Sequence, residues 1–106
     1  MLSVFRRIEI LDQIMKLTDL IQNIRETDRE AIIFQENLED PLSDIILAYE
    51  EEGDDGTKEE NGKKYHYLIE VFLASEFVED WINSLNYKPT TEQTAQRLYE
   101  YAINDA

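Results

Sequence analysis

Five apolar residues near the start of the chain, Ile10, Ile14, Leu17, Ile21 and Ile24, recur at spacings of four, three, four and three. That alternation is the seam of an α-helix, and it falls in a stretch, Leu2 to about Arg25, with no Pro or Gly to break one. A second stripe, Val4, Ile8, Leu11 and Met15, lies beside it and leaves Arg6, Glu9, Gln13, Lys16 and Asn23 as a narrow polar strip. The spacing predicts a long first helix buried on two sides.

Further helix signals follow. Thr27-Asp28 before Glu30 suits a helix start, with anions at the positive end of the dipole, and AIIFQENL then reads as a short helix ending near Leu38. Asp40-Pro41 offers a capping acceptor followed by the residue that fits the first helical position, predicting a helix from Pro41 to about Glu51 that Gly53 stops. In YHYLIEVFLASEFVEDWINSL, the residues Leu68, Val71, Phe72, Ser75, Val78, Trp81, Ile82 and Leu85 recur at helical spacing, predicting one helix over about 64–85. Asn86 to Pro89 breaks it, and Thr90 with Gln93 forms a capping-box pattern that opens a last helix, 91–104. The expected fold is all-α, a compact bundle of four to five helices. A competing pattern exists: Tyr65, Tyr67, Ile69, Val71 and Leu73 alternate with a strand's period, with IILAY as a hairpin partner, which gives an α+β alternative with a hairpin within 44–73.

At 106 residues, with 42% hydrophobic and 32% charged side chains, the chain has the length and composition of one globular domain, 1–106. With no cysteine it can hold neither a disulfide nor a thiolate metal site, which suits the cytoplasm. No segment approaches eighteen uninterrupted apolar residues, and Glu9 and Asp12 fall inside what would have to be a signal peptide's apolar stretch, so neither export by that route nor a membrane span is expected.

Charge narrows the partners. The net charge is −14, and it is concentrated: residues 26–60 hold two basic and fourteen acidic groups. The run EEEGDDGTKEENGKK (50–64) has no apolar side chain and contains all three glycines, so residues 53–62 are expected as a mobile acidic loop between the third and fourth helices. Direct contact with nucleic acid or anionic lipid is disfavoured by like charge, and the expected partner is a basic protein.

The chemistry of catalysis is thinly represented. The one histidine, His66, is flanked by tyrosines, and none of the four serines has a neighbouring base. The glycines do not have phosphate-cradling spacing. An EF-hand register with Gly56 at position 6 puts Glu51, Gly53, Asp55 and Gly62 at positions 1, 3, 5 and 12 and so lacks the terminal bidentate Glu. No enzyme activity, cofactor or metal site is expected.

The acidic third invites a different function. Glu50, Glu51 and Glu52 sit where the predicted third helix ends, a place the dipole disfavours for anions, so another role is expected to maintain them. A protein that presents carboxylates where phosphates would go can occupy the Lys and Arg array of a nucleic-acid-binding enzyme. The residues expected to do so are Glu50, Glu51, Glu52, Asp54, Asp55, Glu59 and Glu60, with Tyr49, Tyr65 and Tyr67 as apolar anchors. The stretch SDIILAYEEEGDD resembles the acidic loop after a helix in immunity proteins of nuclease bacteriocins, although Leu47-Ala48-Tyr49 stands where that family has paired tyrosines followed by proline. The resemblance implies a toxin-neutralising inhibitor and carries no binding residue across. Small acidic inhibitors of phages, anti-CRISPR proteins among them, are similar in size and charge. A helical adaptor, monomer or homodimer, using the Ile10–Ile24 seam is the alternative from another class.

Overall fold

The computed structural model describes residues 14–53 and 55–105, and these form an α+β fold rather than an all-α bundle. Strands β1 (Ile14–Met15), β2 (Ile32–Gln35), β3 (Ile45–Ala48), β4 (Thr57–Glu60) and β5 (Lys63–Glu70) make one sheet in the order β1-β3-β2-β5-β4, every neighbouring pair antiparallel. Helices α1 (Leu17–Gln22), α2 (Val71–Ser84) and α3 (Thr91–Asp105) accompany it, with a 3₁₀ turn at Ile24–Glu26. Among the described residues no helix is long and apolar enough to cross a membrane.

Each overturned helix has a physical reason. IIFQ and IILA are buried at every position, because β2 and β3 lie inside the sheet and are covered on both faces. Such strands read as unbroken apolar runs without a period-two signature, and a run of four cannot be told from a buried helical turn. The supposed caps serve turns instead. Asp28 Oδ1 accepts from the Glu30 amide at 2.9 Å, and Asp40 Oδ1 accepts from the Leu42 amide at 2.9 Å, with Pro41 inside the turn. An Asx side chain satisfies a free amide in either setting, so the residue type did not discriminate.

The predicted first helix keeps only α1 and the 3₁₀ turn within the described residues. Ile14 belongs to β1, and residues 1–13 lie outside the described part. Leu17 and Ile24 of the apolar seam are buried in the core, so among the described residues the seam is not a continuous helical stripe. The predicted helix over 64–85 is half strand: β5 runs into α2 without a loop, and the Val71 amide donates to Ala31 O at 2.9 Å. The competing hairpin has strands at IILA and at Tyr65, Tyr67 and Ile69 but not at Val71 and Leu73, which are helical, and its pairing is wrong, since β2 separates β3 from β5. The hairpin partner of β5 is β4, drawn from the acidic run. Its two-residue connection, Asn61-Gly62, has φ of 52° and 77°, the double positive φ of a type I′ turn. Thus 57–60 is strand rather than loop, and because no helix ends at Glu50–Glu52 the dipole argument for them falls away.

The last helix forms as its sequence implies. The Gln93 amide donates to Thr90 Oγ1 at 3.0 Å and the Thr90 amide donates to Gln93 Oε1 at 2.9 Å, a reciprocal capping box. Ala95, Leu98 and Ala102 of α3 then meet Leu17 and Leu20 of α1, Val71, Ala74 and Val78 of α2, and Ile33, Ile45 and Leu47 of the sheet in the main core. A second cluster, Ile32, Phe34, Ile46, Ala48 and Tyr65, is buried on the opposite face of the sheet.

Candidate partner-binding face

Regular strands alternate sides, so residues three apart face opposite ways. β5 departs from this. Ile69 pairs with Ile33 of β2, but Phe34, the next residue on β2, pairs with Tyr67, which leaves Leu68 as the extra residue of a β-bulge. Both Leu68 and Ile69 therefore enter the main core, and the parity of the strand is reset. Glu70, paired with Ile32, now shares a face with Tyr67, paired with Phe34. That face is the one turned away from the main core.

Tyr67 is 39% exposed, and Phe34 supports it edge-on with ring centroids 6.2 Å apart. Burial of the inner part of its ring pushes the Tyr67 hydroxyl up from the ordinary tyrosine value, and the Glu70 carboxylate it hydrogen-bonds pushes it further, with a smaller contribution from Glu50. Glu50 follows β3 and is exposed. An accessible aromatic ring thus has one carboxylate, Glu70, bonded to its hydroxyl, while Glu50 adds a weaker electrostatic influence from beyond the end of β3.

The hairpin margin is less anionic than its composition suggests. Glu59 and Glu60 face Lys64 and Lys63 across the ladder. Lys58 lies 3.6 Å from Glu51, and Lys63 lies 3.6 Å from Glu36. Opposite charges at cross-strand positions stabilise the edge and offset part of its field. Asp55 accepts a hydrogen bond of 2.6 Å from Thr57 Oγ1, which holds its carboxyl below the ordinary range. Glu52 and Asp55 are exposed at this end, while Asp54 lies outside the described residues.

The three candidate tyrosines part company. Tyr67 is on the surface. Tyr65 is 0% exposed, so its ring is part of the second cluster rather than a contact; burial, with Glu36 and Asp44 nearby, pushes its hydroxyl up. Tyr49 is half-buried, and its hydroxyl donates to the Asp28 carboxylate, tying the end of β3 to the turn before β2. Among the described candidate residues, Tyr67 offers an exposed ring, and Glu50 is the candidate acid whose charge reaches it.

No protein-family model, curated protein or solved structure matches the chain. The site therefore rests on its own geometry. Glu70 was missed by sequence reasoning because only the bulge brings it round to Tyr67. The hairpin was missed despite a legible signal, the Asn61-Gly62 dipeptide between TKEE and KKYHY. Among the described residues, no group of three or more His, Asp or Glu is placed to hold a metal ion.

Proposed function

We propose that this chain is a small acidic inhibitor that binds a basic, nucleic-acid-handling protein, with Tyr67 as its anchor and Glu50 and Glu70 as its carboxylates. The observation that carries the reading is the exposed Tyr67 ring, bonded through its hydroxyl to Glu70, on a chain of net charge −14. A guanidinium laid over such a ring gains a cation–π contact and meets the Glu70 carboxylate beside it, the arrangement by which Arg-rich surfaces also grip phosphates. Glu52, Asp55 and the hairpin acids Glu51, Glu59 and Glu60 add long-range attraction that speeds encounter, each modestly because lysines stand among them. The ligand-facing chemistry is thus electrostatic with one aromatic anchor, and the partner's own nucleic acid competes for the same basic groups.

The test is capture from a lysate of the cells that make the protein, eluted along a salt gradient and identified by mass spectrometry. One or a few basic nucleic-acid enzymes should elute at a defined, raised salt concentration, and added duplex DNA or RNA should release them. Release of every basic protein at trivial salt, or capture that nucleic acid leaves untouched, would overturn the reading.

A further inference from the structure

Helix α2 buries one stripe, Val71, Ala74, Ser75 and Val78, and that is sufficient to dock a surface helix. It carries a second apolar stripe, Leu73, Phe77 and Trp81, spaced four residues apart and outside the main buried set. Helix α3 covers only part of it. Tyr101 stacks on Phe77 with ring centroids 4.1 Å apart and an interplanar angle of 14°, and the Arg97 guanidinium lies 5.2 Å from the Phe77 centroid. What stays open is a cleft of about 340 Å³ walled by Leu73, Glu76, Phe77, Asp80, Trp81 and Tyr101. Leu73 at its mouth is 41% exposed.

We infer that this cleft docks an amphipathic helix of a partner protein, with an apolar side chain in the cleft and lysine or arginine on its flanks. The floor supplies the apolar half of the argument: aromatic rings already locked by stacking lose little entropy when a side chain settles on them. The rim supplies the charge. Glu76 and Asp80 lie one turn apart on α2, where they face successive turns of a helix laid alongside. Arg29 reaches Glu76 only at 3.8 Å, and Asp80 has no ion pair among the described residues. Anionic lipid and nucleic acid are repelled by this rim, and a second copy of the chain brings its own −14, whereas a basic helix meets opposite charge. The site stands apart from the Tyr67 face, since α2 packs into the main core on the other side of the sheet.

Trp81 is the chain's single tryptophan and walls this cleft, so its fluorescence reports binding there, and the Leu73 variant below separates it from the groove that Trp81 shares with Tyr87 and Gln96. The intact protein is titrated with a synthetic peptide of lysine and leucine whose leucines follow helical spacing, beside two controls: the same composition scrambled, and a version with glutamate in place of lysine. A saturable blue shift with the first peptide only is expected. Leu73→Ser and Asp80→Lys, both at exposed helix positions, should each weaken it by roughly tenfold, while Tyr67→Ala should leave it unchanged. No shift, an equal shift with either control peptide, or unchanged affinity in Asp80→Lys would overturn the inference. So would a shift produced by phosphatidylcholine vesicles or by raised protein concentration alone, which would assign the cleft to a membrane or to a second copy. Because the probe is a defined peptide, failure here is separable from failure of the Tyr67 reading, which lysate capture decides.

Discussion

Tyr67 and Glu70 stand three residues apart on one strand and face the same way, because Leu68 is an extra residue opposite β2. Their proximity has a titration signature. Tyr67 is raised by burial first and by Glu70 next, so Glu70→Gln should bring its titration back toward the ordinary tyrosine value near 10. For a group raised on folding, the stabilisation is fully present below the unfolded value and is lost as pH climbs through the folded one. Glu70→Gln should therefore narrow the alkaline window over which the protein loses stability. Tyrosinate absorbance against pH checks this, and an unmoved Tyr67 titration would separate the two side chains.

Tyr65 supplies a test of the second cluster. Its hydroxyl is buried and has no hydrogen-bond partner among the described residues. A buried polar atom left unpaired costs about 1–3 kcal/mol. Tyr65→Phe keeps the ring and removes that cost, so it should raise the melting temperature or leave it level, where the same change at a bonded tyrosine lowers it. Tyr65→Ala should lose about 3–5 kcal/mol, the cost of emptying an aromatic site. A clear loss in Tyr65→Phe would mean that the hydroxyl is satisfied.

At the tip of the β4–β5 hairpin, Gly62 has a φ of 77° and open space where a Cβ would go. The penalty for Gly62→Ala is then backbone strain alone, about 1–2 kcal/mol. Amide exchange should accelerate first in β4, which among the described residues pairs with β5 alone. Uniform acceleration across the sheet would show that the hairpin does not open separately.

Thr90→Ala should cost about 1 kcal/mol, because it removes the acceptor of the Gln93 amide and half of a reciprocal pair. In a domain of this size that is a fall in melting temperature of about 4–8 °C. Addition of Gln93→Ala should cost little more, since the two side chains act as one device.

What the sequence disclosed followed from how local each signal was. Thr90, Gln93 and the stripe Ala95, Leu98 and Ala102 specify α3 within fifteen residues, and it forms there. IIFQ and IILA fail as local signals because their burial on two faces comes from neighbours distant in sequence. Asp28 and Asp40 mislead for a different reason: they serve turns with the chemistry that would also cap helices. At the candidate site Glu50 and Tyr67 were legible as an acid and an aromatic beside the charged run. Glu70 was not, because its partnership with Tyr67 depends on one bulged residue and on the register with β2.

The most direct test of partner binding compares the intact protein with the variant carrying Tyr67→Ala, Glu50→Gln and Glu70→Gln, measured by affinity for the protein captured from lysate. Circular dichroism should match between the two, and the variant's lower melting temperature, from the lost Phe34 contact, should still lie well above the temperature of the binding assay. The account predicts a loss of at least about thirtyfold, the 2 kcal/mol of one interface hot spot. A control with Glu59→Gln and Glu60→Gln should change affinity by less than about threefold, since Lys64 and Lys63 already face those acids. Equal affinity in the triple variant, or a larger loss in the hairpin control, would contradict the placement of the anchor at Tyr67.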